Sequence, residues 1–162
     1  MDTLFSNYEY LLENGDRTLR KAALEIVEAG VRKVIPYESV KELVKFDGQV
    51  IQIGKMKIPV IAIKHIYVVG VGKGAFPIAQ AILGDYITEG FVVVKSGEKR
   101  RLEHVEIFES SHPIPDERSI VGADRLIKIL EKADKEDLIF AAITGGSSAL
   151  VNKPAGEITL ED

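Results

Sequence analysis

The chain of 162 residues has no cysteine, no tryptophan and three histidines. Without cysteine it forms no disulfide framework and no thiolate metal site, which fits a reducing, cytoplasmic compartment. Long hydrophobic runs are also missing, and nothing approaches the ~20 residues that a membrane-spanning helix needs. The start, Met1-Asp2-Thr3, lacks the basic and apolar stretches of a signal peptide. Neither charge dominates: 21 basic residues stand against 25 acidic ones, for a net charge of −4. Only Lys99-Arg100-Arg101 suggests a basic patch, and a solvated turn is the simpler reading, so nucleic acid is not an expected partner.

What is present is globular. Hydrophobic residues make up 46% and charged residues 28%, which is too apolar and too evenly charged for a disordered chain. The length suits one ordinary domain with a sizeable core. We divide it into a helical and hairpin extension over residues 1–64 and an α/β domain over residues 65–162.

In the extension, Asp16 is placed to cap a helix that carries Leu19, Ala22, Ala23, Ile26, Val27, Gly30, Val31 and Val34 on one face and ends near Pro36. A short second helix is expected over Glu38–Phe46. Gln49–Ile63 reads as a β-hairpin turning at Gly54-Lys55, with Pro59 marking an edge strand. From His65 onward strand and helix alternate. Strands are expected at Ile66–Val69, Phe91–Val94, Val105–Phe108 and Leu138–Ile143, the first, second and fourth reading as buried. Helices are expected after Gly74 as far as Leu83, and after the cap Asp116, where Ile120, Ala123, Leu126, Ile127 and Leu130 face the core. Such alternation implies a Rossmann-like three-layer domain with a mostly parallel sheet.

In such sheets ligands gather at the carboxyl ends of the strands, and three segments are expected there. Gly70-Val71-Gly72-Lys73-Gly74-Ala75 combines glycines, a helix start with free N–H groups and the charge of Lys73, which together suit phosphate or carboxylate. Ser110 to Asp116 holds His112 in a loop made rigid by Pro113 and Pro115 at a strand end. Thr144-Gly145-Gly146-Ser147-Ser148 offers backbone and hydroxyl donors for an anion. The first segment also fits the relaxed dinucleotide fingerprint G-x-G-x-x-A. The next strand, however, ends in Lys95-Ser96 rather than the acid that NAD requires, although a lysine there tolerates the extra phosphate of NADP.

The stretches VVGVGKGA, SSHPIPDE and ITGGSSAL-VNKPAGEITLED, in this order, resemble the class II glycerate 2-kinases of the MOFRL-associated type, often labelled hydroxypyruvate reductases. The family patterns read approximately G-x-G-K-A-A, H-P-x-P-D and S-G-G-x-S-A-L, so Gly74 stands where alanine is usual and Thr144 where serine is common. The resemblance implies ATP-dependent phosphorylation of D-glycerate to 2-phosphoglycerate with Mg2+. It makes Lys73 the catalytic lysine, and Gly70, Gly72, Gly74, His112, Gly145, Gly146, Ser147 and Ser148 the groups that bind substrate or phosphate, with no protein ligand to a metal. Family members are longer and close a second α/β domain over the cleft. This chain is therefore expected to be an N-terminal portion, inactive alone and prone to pair with itself through the hairpin edge or an open sheet edge. Two alternatives remain: an NADP-dependent hydroxypyruvate reductase, and a non-catalytic anion- or sugar-phosphate-binding domain.

Overall fold

The computed structural model describes residues 3–82, 84–97 and 100–162. The expected helix end at Leu83, and Lys99 of the expected solvated turn, lie outside the described residues. In chain order the elements are α1 (Tyr8–Glu13), α2 (Arg17–Lys33), α3 (Pro36–Leu43), β1 (Val44–Phe46), β2 (Val50–Ile53), β3 (Met56–Pro59), β4 (Ile66–Val71), α4 (Ala75–Ala81), β5 (Glu89–Lys95), β6 (Val105–Ser110), α5 (Glu117–Leu130), β7 (Leu138–Ile143) and α6 (Ser147–Leu150).

Asp16 caps α2 as expected, its carboxylate accepting from the Thr18 and Leu19 amides at 2.9 and 3.0 Å. The apolar face of α2 is not buried, however. Ile26 is 73% and Val34 72% exposed, and no residue of the helix is buried. α2 instead meets α1 along its polar side, where the Arg20 guanidinium donates to the Leu11 carbonyl. Helical periodicity specifies which side is apolar, and the partner for that side has to come from elsewhere in the fold.

The second expected helix also changes. Pro36 starts α3 in the first-turn position that proline tolerates, but Val44–Phe46 leaves the helix to pair antiparallel with β2, Val44 opposite Ile53 and Phe46 opposite Ile51. β-branched and aromatic residues suit that half-buried surface better. The expected hairpin thus becomes a three-stranded sheet, β1-β2-β3, with Pro59 in an edge strand.

The second sheet is wholly parallel, in the order β6-β5-β4-β7. Counted from its own first strand this is 3-2-1-4, the doubly wound order. α4 covers one face, where Phe76 and Ala79 join Val68, Val92, Val94 and Ala142. α5 covers the other, where Ile129 joins Tyr67, Val69, Phe91 and Val93. Strands buried on both faces explain the unbroken apolar runs of β4 and β5. Val44, Ile51 and Ile66 form a third cluster that joins the two sheets.

Two core expectations are corrected. In α5 the buried stripe runs through Ser119, Gly122, Ala123 and Ile129, whereas Ile127 and Leu130 face outward. β7 is an edge strand rather than a fully buried one. Its register sets Ile139, Ala141 and Ile143 level with Tyr67, Val69 and Val71 on the α5 side, where all three are exposed, Ile143 at 62%.

Candidate functional site

Strand order reverses between β4 and β7, so the crevice of this sheet opens at their carboxyl ends. The segments leaving those ends, residues 72–74 and 144–146, are stitched together. The Thr144 amide donates to the Val71 carbonyl at 3.0 Å, and the Lys73 amide to the Gly145 carbonyl at 3.0 Å. The Gly74 amide donates to Thr144 Oγ1 at 2.9 Å. Gly72 is required at this crossing. Its φ of +122° suits glycine, and a β-carbon there would overlap Thr144 Oγ1 and stand 2.6 Å from the Thr144 carbonyl oxygen.

This stitching changes what the first turn can offer. The Gly72 amide is taken by the Val93 carbonyl and the Ala75 amide by the Gly72 carbonyl, so every amide from Gly72 to Ala75 already has a protein acceptor. α4 has only seven residues, just under two turns, and adds little dipole. What remains for a ligand is Lys73, whose exposed ammonium meets no acceptor among the described residues.

The free amides lie in the other loop. Among the described residues the amides of Gly145, Gly146 and Ser148 have no acceptor, while the Ser147 amide is held by the Thr144 carbonyl at 3.3 Å. Gly146 has a φ of +92°, and a β-carbon on it would lie 3.1 Å from His112 Nε2 and 3.4 Å from Lys73 Cε. The three segments therefore meet at Gly146, an ammonium and an imidazole flanking a loop with unengaged N–H groups.

His112 is partly buried and precedes a cis peptide bond to Pro113. Below it Asp116 caps α5, accepting from the Arg118 amide at 3.1 Å. The Arg118 guanidinium, 2.7 Å from the same carboxylate, is the main reason the Asp116 carboxyl is held below its ordinary value. Ser147 and Ser148 begin α6, the second of them exposed. A separate cavity of about 1050 Å³, lined by none of Lys73, His112 or residues 144–148, opens between Ile114–Ile120 and the chain from Lys153 to Glu161.

Of the expected glycines of the first segment, Gly72 and Gly74 have engaged amides, and Gly70 stands outside the loop altogether. It lies inside β4, paired with Val92 and Ala142. A β-carbon would press on Val92 Cγ2 at 3.1 Å and Ala142 Cβ at 3.3 Å, so this glycine serves sheet packing rather than the loop. Thr144, expected only as one of the hydroxyl donors of its loop, turns out to bind the Gly74 amide instead. The hydroxyl side chain at the strand end was the signal, and its partner 70 residues away was not legible. Among the described residues no group of three His, Asp or Glu gathers in metal-binding geometry, and no helix is long and apolar enough to cross a membrane.

A family model described as Domain of unknown function (DUF4147) matches residues 22–162. A Glycerate 2-kinase of Pyrococcus horikoshii is 37% identical over 89% of this chain and 32% of its own length. A D-glycerate 2-kinase of Thermotoga maritima is 30% identical over 90% of this chain and 32% of its own. A Putative hydroxypyruvate reductase of Agrobacterium vitis is 38% identical over 59% of this chain. A crystal structure of a protein from Pyrococcus horikoshii OT3 superimposes with a TM-score of 0.79 at 34% identity, covering 88% of this chain and 33% of that one. The chain thus spans about a third of the length of the curated kinases it matches.

Proposed function

The chain belongs to the family described as Domain of unknown function (DUF4147), and from its likeness to glycerate 2-kinases we propose that it forms the N-terminal part of a cytoplasmic glycerate 2-kinase. One observation carries the reading: Lys73, His112 and the unengaged amides of Gly145, Gly146 and Ser148 gather at one point of the sheet's crevice. Phosphoryl transfer needs positioning and charge neutralisation more than covalent chemistry from the protein, and a cation beside free amides supplies both. In the proposed reaction the 2-hydroxyl oxygen of D-glycerate bonds to the γ-phosphorus of ATP and its proton is released to solvent. The bond from that phosphorus to the bridging oxygen breaks and ADP leaves.

In this scheme Lys73 neutralises either phosphate oxygens or the glycerate carboxylate, and the Gly145–Ser148 loop takes the other anionic end. The His112 ring donates to a substrate oxygen. The donor set suits anions and provides no metal cage. Mg2+ would therefore arrive on the nucleotide phosphates, supplying further charge neutralisation there, and no residue of this chain is assigned to it.

The reductase name among the relatives belongs to proteins that share less of this chain. A dinucleotide pyrophosphate rests on free amides at the first strand-to-helix turn. Here the amides of Gly72, Lys73 and Gly74 are all engaged, which favours the kinase. The test supplies the protein that carries this chain with D-glycerate, ATP and Mg2+, or with hydroxypyruvate and NADPH. Glycerate-dependent ADP formation is expected. NADPH oxidation without ADP formation would replace the reading with the reductase, and phosphate binding with no turnover of either pair would leave an anion-binding domain.

A further inference from the structure

α4 begins without a cap of its own. Its N-cap position is Gly74, which has no side chain to fold back on the first turn. The acceptor comes instead from another strand, 70 residues on: Thr144 Oγ1, 2.9 Å from the Gly74 amide. The same threonine closes on Gly72 through its carbonyl and lays Cγ2 about 3.4 Å from where a Gly74 β-carbon would stand. Lys73, between these two glycines, is further held by the Gly145 carbonyl.

We propose that Thr144 is a positioning residue, its hydroxyl fixing the Lys73 segment so that the ammonium faces His112 across Gly146. The proposal rests on the anion-handling reading of this site. The geometry separates the hydroxyl from the rest of the side chain. The Thr144 backbone already ties β7 to β4 through the Val71 carbonyl, so the strands stay paired whatever residue stands here. Only the oxygen reaches the Gly74 amide. Valine has the same shape and lacks the acceptor, whereas serine keeps the acceptor and lacks the methyl group. A neutral hydroxyl–amide bond adds little to global stability compared with a core contact, yet an error of about 1 Å at a charged group costs a reaction heavily.

The test compares Thr144→Val and Thr144→Ser in the protein that carries this chain. Hydrogen exchange of residues 72–75, with and without inorganic phosphate, is read beside kcat and KM for glycerate phosphorylation. Thr144→Val should exchange this segment at least tenfold faster and lose at least tenfold in kcat, with KM for glycerate changed less than threefold. Thr144→Ser should remain within threefold of wild type in every measure.

Unchanged exchange in Thr144→Val overturns the proposal. So does unchanged kcat in an active enzyme, or a serine variant as impaired as the valine one, which would assign the effect to the methyl group. A wild-type protein that turns over no glycerate would defeat the kinase reading instead. The Thr144 proposal is then decided by phosphate protection of residues 72–75. Protection lost with valine and kept with serine supports it, and protection equal in all three proteins overturns it.

Discussion

Lys73 donates its backbone N–H to the carbonyl of Gly145 at 3.0 Å, so the residue that carries the charge is fastened to the loop that carries the free amides. Charge and amides then move as one unit. Substitutions on either side should therefore disturb the same ligand.

Lys73→Ala removes the ammonium and leaves this backbone bond in place. In the protein that carries the chain, kcat/KM for glycerate phosphorylation should fall at least tenfold, about 1.4 kcal/mol or more of lost stabilisation. The thermal midpoint should hardly move, because the side chain is exposed and packs on little. Steady-state kinetics and a melting curve on the same preparation check both parts. Unchanged kinetics in a folded variant would remove Lys73 from the mechanism.

Gly146→Ala tests the meeting point itself. The φ of +92° disfavours any side chain, and the new methyl group would press on His112 and on Lys73. We expect a stability loss of about 1–2 kcal/mol from the backbone alone, with a further fall in phosphate affinity as the two basic groups part. Urea unfolding gives the first quantity and phosphate titration the second. Wild-type phosphate affinity in this variant would mean that the ligand does not sit at Gly146.

Asp137 gives the fold a pH dependence. Its carboxylate, 1% exposed, accepts from the Asp134 amide at 2.9 Å and meets His65 Nδ1 at 2.9 Å. Donation from Asp134 is the largest cause, with the His65 ring after it, of a carboxyl held below its ordinary value. A depressed carboxyl stabilises the fold fully above its unfolded value, near pH 3.9, and the contribution is lost as pH falls through the lower folded value. Wild type should therefore exceed Asp137→Asn above about pH 5, and the margin should shrink below pH 4. Unfolding midpoints from pH 3 to pH 7 measure this. A margin independent of pH would show that the Asp137 charge is not what stabilises.

The 162-residue chain studied by itself should self-associate and should not phosphorylate glycerate. Ile26 and Val34 on α2 and Ile139 and Ile143 on β7 all face outward, β7 offers an open parallel edge, and such surfaces seek partners. The chain also corresponds to only a third of its kinase relatives. Sedimentation at increasing concentration reads the first part. A monomer at high concentration would contradict it, and strong glycerate-dependent ADP production would contradict the second.

Much of the molecule was legible from residue order alone. Unbroken apolar runs at Ile66–Val69 and Phe91–Val94 require strands covered on both faces, and Asp16 and Asp116 mark helix starts by offering a carboxylate to free amides. The three anion-type segments were visible as glycines, hydroxyls and rigid loops following strands. These are local signals, set by backbone conformation and by hydrophobic period.

Tertiary structure decided the rest. Period specifies that a face is apolar and is silent about its partner. The α2 stripe could therefore face outward, Val44–Phe46 could leave a helix for a strand, and β7 could lie at an edge. It was the placing of β7 beside β4, rather than beside β6, that brought the Gly145 loop against the Lys73 turn. That contact also used up the turn's own amides, left those of Gly145 and Gly146 free, and gave Thr144 a hydrogen bond to Gly74. The bond spans 70 residues. Nothing within a few residues of either partner encodes it, because the acceptor exists only once the sheet has formed.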